Sequence, residues 1–229
     1  MKAIGVNCRD RFSADDFTFV ATVLTESGEP SPALAELLTD PAARDVALDS
    51  DRLFQRLVDA PQPLPVSPRL YFYVLARHGL PEFDRAISDY IANVLAGFLD
   101  QQRLHALPGH PELQTGYLVD MLAALAELHG EAAFVTRAHV GSYTLFMAGV
   151  FPDHLRYREW VRGAPGISFY EDVGSTSYRL ASDHRQARRE GLDEVFRTIG
   201  DRFTTVREGL NTVADRFLHL DSSEGSFGA

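Results

Sequence analysis

The pattern that decides the fold lies in residues 192–220, LDEVFRTIGDRFTTVREGLNTVADRFLHL. Apolar side chains recur there at alternating spacings of four and three residues: Leu192, Phe196, Ile199, Phe203, Val206, Leu210, Val213, Phe217 and Leu220. That spacing places all of them on one side of a helix, as in a heptad repeat, and we call them the heptad stripe. Charged residues such as Asp193, Arg197 and Arg207 occupy the other faces. The stretch therefore predicts one long amphipathic C-terminal helix.

The rest of the chain has the same helical character in shorter pieces. Ser13 is followed three residues later by Asp16, and Ser168 by Glu171, the spacing of a capping box at a helix N-terminus. Strict alternation with a period of two, which is typical of strands, persists almost nowhere for five residues. We predict an all-α, single-domain bundle of about eight or nine helices over residues 1–220, followed by a disordered tail over residues 221–229.

Composition and charge exclude several classes of protein. The 229 residues contain one cysteine, Cys8, which cannot form an intrachain disulfide, so we expect a reducing, cytoplasmic location. No run of about 18 apolar residues is available to cross a membrane. The formal net charge of −10 repels phosphate backbones and anionic lipids. Neither nucleic acid nor a membrane is therefore expected as a partner.

The sequence also lacks the motifs that usually announce enzyme chemistry. No Glu has a His three residues later, so the ligand pairs of helical di-iron sites are missing, and we expect no metal. Neither glycine-rich phosphate loop is present, nor is the Gly-x-Ser-x-Gly nucleophile elbow. We therefore assign no catalytic residue and no cofactor, and we favour a non-catalytic protein over an enzyme.

Two weaker patterns suggest ligand binding. Arg69, Tyr73 and Arg77 are spaced by four, so one helix face would carry two guanidiniums beside a phenol, which suits a carboxylate or phosphate. The simpler interpretation is that both arginines pair with acidic residues of neighbouring helices. His139 and Tyr143 are also four apart, in an apolar segment where an imidazole could ligate haem or act as a base. A hydrogen-bonded histidine in the core is the simpler interpretation there.

Two hypotheses for function follow. The first is a non-catalytic helical protein that acts through self-association, as a homodimer, or through another protein, with Phe203, Leu210 and Phe217 of the heptad stripe as interface residues. The stripe would look the same if it were the centre of the chain's own bundle. The second is a helical small-molecule-binding protein or enzyme with an apolar pocket lined by arginine and tyrosine. After Pro152 we predict only a short turn containing Leu155 and Trp160.

Overall fold

A computed structural model describes residues 7–25, 32–60, 64–108, 110–114 and 117–217 of the chain. The contacts divide the chain into two compact units. The N-terminal unit spans residues 7–96, and the C-terminal unit includes all described residues from Gly97 onward. The single domain expected over residues 1–220 stays a prediction. The tail expected over residues 221–229 lies outside the described residues, as does Leu220 of the heptad stripe.

Short helices build the N-terminal unit, after a 3-10 turn at Arg9–Arg11. They are α1 (Ala14–Leu24), α2 (Pro32–Leu37), α3 (Pro41–Leu48), α4 (Asp51–Val58), α5 (Pro68–Gly79) and most of α6 (Arg85–Phe98). Proline is the first residue of α2, α3 and α5, where its missing N–H costs no hydrogen bond and its fixed φ suits the helix. The helices bury apolar side chains such as Leu53, Leu70 and Ile87 in the core of the unit.

Asp16 joins the beginning of α1 to the beginning of α5. Ser13 Oγ accepts a hydrogen bond from the Asp16 N–H at 3.1 Å, and Asp16 Oδ2 accepts one from the Ser13 N–H at 2.8 Å. This is the capping box that the sequence predicts. The same carboxylate also accepts hydrogen bonds from the N–H and the hydroxyl of Ser67, the N-cap of α5. Asp16 is fully buried, and its hydrogen bonds compensate for the loss of water.

The C-terminal unit is organised around one long buried helix. Its elements are α7 (Gln101–His105), an antiparallel hairpin of β1 (Ala106–Leu107) and β2 (His110–Gln114), α8 (Leu118–Glu127), α9 (Gly130–Val150), α10 (Pro152–Arg162), α11 (Ile167–Ser182), α12 (Arg185–Glu190), α13 (Asp193–Asp201) and α14 (Phe203–Phe217). The central helix is α9, which is buried on nearly all sides in its second half and packs against α8, α11 and α14. Glycine permits this approach, because a Cβ at Gly149 would lie 3.0 Å from Leu210 of α14.

The all-α prediction is confirmed for the described residues, whose regular structure is helical except for the short hairpin. The predicted number of eight or nine helices is too low, because fourteen α-helices are described. Several of them are separated by sharp local stops that apolar periodicity does not show, such as Gly163 and Gly191 in the left-handed conformation after α10 and α12. No helix within the described ranges has both the length and the apolar content required to cross a bilayer.

The single long C-terminal helix is also wrong, because the chain turns at Arg202 between α13 and α14. Gly200 lies just before the turn, where α13 approaches α11: a Cβ at Gly200 would lie 2.9 Å from Arg179 Cγ and 3.1 Å from the Ser175 carbonyl oxygen. A glycine in this position weakens the helix while it allows the close contact. The heptad stripe nevertheless stays buried on both sides of the turn, from Leu192 to Val213.

Candidate functional site

The three residues predicted to share a helix face, Arg69, Tyr73 and Arg77, all lie on α5, but their surroundings differ. Arg77 Nε donates to Asp49 Oδ1 at 3.2 Å, and its Nη1 donates to the Phe83 carbonyl at 2.9 Å. Tyr73 is fully buried, and burial raises the pKa of its phenol. Arg69 is half-buried, and its Nε has no hydrogen-bond partner among the described residues. The pair between Arg77 and Asp49 fits the simpler interpretation for Arg77, and that interpretation stays a prediction for Arg69.

A balanced set of three arginines and three aspartates adjoins Tyr73. Its members are Arg9, Arg77, Arg85, Asp45, Asp49 and Asp89. Arg9 Nη2 donates to Asp89 Oδ2 at 2.8 Å, and its guanidinium lies 5.6 Å from the centre of the Tyr73 ring. Burial raises the pKa of Asp89, and Arg9 opposes that rise. Because these charges cancel, an added anion would have to displace a carboxylate, so the arrangement favours a structural role.

His139 lies in the core of the C-terminal unit, in the middle of α9. Its side chain is 7% exposed, and its Nε2 has no hydrogen-bond partner among the described residues. The ring meets Phe98 edge to face, with 5.6 Å between the ring centres. Burial lowers the pKa of His139 to about 4, so the imidazole is neutral at neutral pH. It is a core histidine in an apolar environment.

Tyr143, one turn further along α9, has different neighbours. Its ring faces Tyr170 of α11, with 6.4 Å between the ring centres, and burial raises the pKa of both phenols. The guanidinium of Arg158 on α10 opposes both shifts. The same guanidinium lies 5.5 Å from the centre of the Tyr117 ring. Tyr143 therefore belongs to a contact between α9, α10 and α11, whereas His139 faces Phe98.

The predicted interface residues of the heptad stripe lie mostly inside the chain. Phe203 and Leu210 are buried, at 3% and 2% exposure, and Phe217 is half-buried. Phe203 contacts Tyr178 of α11, with 6.3 Å between the ring centres. Packing within the C-terminal unit thus accounts for the burial of Phe203 and Leu210, and their role in an interface stays a prediction.

Glu171 does not form the capping box that the sequence suggests. Its helix, α11, begins at Ile167 with Gly166 as N-cap, so Ser168 lies inside the helix. Glu171 Oε1 instead accepts a hydrogen bond from Arg207 Nε of α14 at 2.7 Å. Beside this pair, a shallow groove of about 230 Å³ lies between α11 and the turn at Arg202. The groove is polar, and Asp201 within it is paired with Arg179, so it differs from the apolar pocket of the second hypothesis.

The sequence interpretation missed a set of large apolar side chains that are exposed to solvent. Residues from Pro152 onward form an 11-residue helix, α10, and not the predicted short turn. Tyr157, Trp160 and Val161 are 60%, 85% and 48% exposed, and we call them the α10 stripe. Their spacing of three and four residues places them on one helix face, while Leu155 on the other side is fully buried. That spacing was visible in the sequence, but nothing there showed which side faces the core.

Charged groups frame the α10 stripe. Asp153 in the first turn accepts a hydrogen bond from Arg156 Nη1 at 2.7 Å. His154, one helical turn from Arg158, has a pKa lowered by partial burial and by Arg158 and Arg162. On the side of α10 away from the stripe, the Glu159 carboxylate lies against Gly166, the N-cap of α11, where it faces the positive end of that helix dipole. The stripe lies on a helix that is fixed to the core, because α10 packs against α9 and α11 and buries Leu155.

Neither a metal site nor a known relative accounts for the exposed α10 stripe. Within the part of the chain that the structure describes, no three His, Cys, Asp or Glu side chains are grouped so that they could hold a metal ion. Comparison of the chain with protein-family models, with curated proteins and with solved structures finds no match in any of the three.

Proposed function

We propose that this chain is a non-catalytic helical protein that acts by associating with another protein molecule, either a second copy or a different chain. The observation that carries the proposal is the joint exposure of Tyr157, Trp160 and Val161 on α10. Burial of a large apolar side chain is worth about 1.5–3 kcal/mol, and this free energy is unused while the α10 stripe faces water. Trp, Tyr and Arg are also the residues that dominate binding at protein interfaces.

The state of the candidate ligand residues supports the same proposal. Arg77 is paired with Asp49, and His139 and Tyr143 are enclosed in the core. A ligand at these positions would have to break an ion pair or open the packing. Among the candidate ligand residues, Arg69 keeps a guanidinium Nε without a hydrogen-bond partner among the described residues, and this atom is the observation that supports the alternative of a small-molecule pocket.

The net charge of the chain and the state of its cysteine limit the partners and the location that we propose. The net charge of −10 disfavours nucleic acid and anionic membranes as partners. The one cysteine, Cys8, is free and buried, and burial raises the pKa of its thiol to about 12. An unreactive free thiol suits the cytoplasm, which we propose as the location.

Photo-crosslinking in cells that produce the chain tests the proposal. A photoreactive benzophenone amino acid replaces Tyr157 in one variant and Val46 of α3 in a control; Val46 is apolar and 75% exposed, but it is not flanked by exposed aromatic residues on its helix. We expect discrete protein adducts from position 157 and few from position 46. Adducts that are absent from position 157, or equal at both positions, would contradict association through α10.

A further inference from the structure

We propose that the N-terminal unit binds a phosphate group at Arg69 and Arg11, two arginines whose backbones are both hydrogen-bonded to Cys8. The proposal goes beyond association through α10 and does not depend on it, because the site uses only residues of the N-terminal unit. It rests on a half-buried guanidinium that lacks a counter-ion among the described residues, near a second arginine in the same state.

Arg69 differs from the other half-buried arginines of the N-terminal unit. In each of those, a guanidinium nitrogen lies no more than 3.7 Å from a carboxylate oxygen: Arg9, Arg44, Arg77 and Arg85. Arg69 has no such partner among the described residues, and its Nε is buried without a hydrogen bond. Residues 1–6 and 61–63, which precede the two segments of the site in the sequence, contain no Asp or Glu. A buried guanidinium N–H without an acceptor is costly, so an oxyanion that supplies one is favoured.

Cys8 connects the two arginines. Its thiol donates a hydrogen bond to the Arg69 carbonyl, with 3.7 Å between Sγ and the oxygen, and its own carbonyl accepts one from the Arg11 N–H at 3.0 Å. Both guanidiniums also act on the thiol, since Arg69 and Arg11 oppose the rise in the pKa of Cys8 that burial causes. Because that pKa is about 12, the thiol is neutral and does not supply the missing negative charge.

The carboxylates of the surrounding elements are already engaged. Asp89 Oδ2 accepts a hydrogen bond from Arg9 Nη2 at 2.8 Å, and Asp10 lies 3.7 Å from Arg44. Asp16, at the start of α1, accepts three hydrogen bonds from the backbone and side chains of two serines. These carboxylates reduce the positive potential around the site without pairing with its two arginines, so we expect weak binding of a small anion.

A phosphate group fits this arrangement better than a carboxylate. The planar guanidinium donates two parallel N–H bonds to a pair of oxygens, and both kinds of ligand offer such a pair. A phosphate monoester adds a third acceptor oxygen and carries a charge of about −1.5 to −2 at neutral pH, so it can bind two guanidiniums at once. The net charge of −10 repels long polyanions. The ligand class is therefore a small phosphorylated molecule and not a nucleic acid.

The site differs from the face that the sequence predicts along α5. Arg77 is paired with Asp49, and Tyr73 is fully buried, so neither is available to a ligand at the surface. The second guanidinium comes instead from the turn before α1, where Arg11 is exposed. An exposed arginine can adjust to a ligand without disturbing the core, while Arg69 is held by its place in the first turn of α5.

Titration of the ¹⁵N-labelled full chain with inorganic phosphate, from about 0.1 to about 30 mM at constant ionic strength, tests the proposal by NMR. The Nε–H resonance of Arg69, identified by its loss in Arg69→Lys, should shift and reach saturation. Arg11→Gln should raise the half-saturating concentration of phosphate at least about fivefold, because one of the two guanidiniums is lost. Arg56→Gln is the matched control, since Arg56 on α4 is exposed and has no carboxylate partner among the described residues. It should leave phosphate binding unchanged.

A melting temperature measured with phosphate and with chloride at equal ionic strength gives a second readout. Phosphate should raise the melting temperature of the wild type above the value in chloride, because a ligand that binds the folded chain stabilises it. In Arg69→Lys this difference should largely disappear, since lysine keeps the charge but not the planar fork. Circular dichroism should show that the variants remain folded. If Arg69→Lys does not fold, Arg11→Gln decides, because Arg11 is exposed.

The outcomes that would overturn the proposal are specific. A shift that does not saturate, or an Arg11→Gln variant that binds phosphate as tightly as Arg56→Gln does, would refute the site. Acetate in place of phosphate tests the ligand class, and half-saturation by acetate at the same concentration would refute the assignment to phosphate. None of these measurements involves α10, so their failure leaves association through that helix standing. Equally, the absence of adducts from position 157 would leave the phosphate site standing.

Discussion

The ring of Phe203 covers the backbone of Gly174, so closely that a Cβ added at Gly174 would overlap the ring and would lie 2.5 Å from Thr144 Oγ1. Three helices meet at this point, because Phe203 begins α14, Gly174 lies on α11 and Thr144 lies on α9. The absence of one side chain thus lets the second half of the heptad stripe reach the centre of the C-terminal unit.

Gly174→Ala should therefore destabilise the protein by about 1–3 kcal/mol, the usual cost of overpacking a core. Gly97→Ala is the matched control, since Gly97 is also helical but has no neighbouring atom within 4 Å of an added Cβ. The control should leave stability unchanged or raise it by up to about 1 kcal/mol, because alanine favours the helix. Urea denaturation of both variants measures the difference. Equal effects would show that Phe203 does not pack on Gly174.

Truncation of the heptad stripe should remove a large part of the stability. We expect Phe203→Ala to cost about 3–5 kcal/mol and Leu210→Ala about 2–5 kcal/mol, because each leaves a cavity in a closely packed core. Leu180→Ala on α11 is the control, since Leu180 is 49% exposed. Its loss should stay below about 1 kcal/mol. A cost of Leu210→Ala no larger than that of Leu180→Ala would contradict the burial of the stripe.

Loss of the Asp16 carboxylate should affect two helices at once. Asp16→Ala removes the capping box of α1 and leaves the Ser67 N–H without its acceptor, so we expect a cost of about 2–4 kcal/mol. Asp15→Ala changes the adjacent, exposed carboxylate and should cost about 0.5 kcal/mol or less. Thermal unfolding followed by circular dichroism compares the two. A small effect of Asp16→Ala would mean that α1 and α5 are not linked through this residue.

His139 should make the protein less stable in mild acid. Its pKa is about 4 in the folded chain but near 6.5 when unfolded, so as the pH falls through this window the unfolded chain takes up the proton first. The resulting loss is about 2 kcal/mol between pH 7 and pH 5. His139→Gln should lack this component, whatever its stability at pH 7. Urea denaturation at both pH values tests this, and identical pH dependence in the two proteins would refute it.

The helical class and much of the core followed from the spacing of apolar residues. The heptad stripe is buried from Leu192 to Val213, as expected for residues that recur every three or four positions. The turn at Arg202 did not follow, because it depends on the approach of Gly200 to α11, a contact between residues distant in sequence. The heptad pattern is compatible with one helix or two.

The surroundings of the candidate residues on α5 and α10 were harder to predict, because they also depend on neighbours that are distant in the sequence. Arg69, Tyr73 and Arg77 share α5 as their spacing indicates, but the partner of Arg77 is Asp49, which periodicity cannot identify. For α10, the positions of Tyr157, Trp160 and Val161 define a helix face, yet an apolar face normally turns inward. The structure shows that this apolar face is exposed to water, while Leu155 on the opposite side of α10 is buried.

Trp160 is the only tryptophan in the chain, so its position determines what intrinsic tryptophan fluorescence reports about the molecule. Its emission should resemble that of an indole in water already in the native state, and unfolding of the helical core should change it little. A shift of the Trp160 emission maximum to shorter wavelength would instead indicate that a partner has bound over α10. The chain thus carries a natural optical label on the surface where we place its partner, and none in the interior where its stability resides.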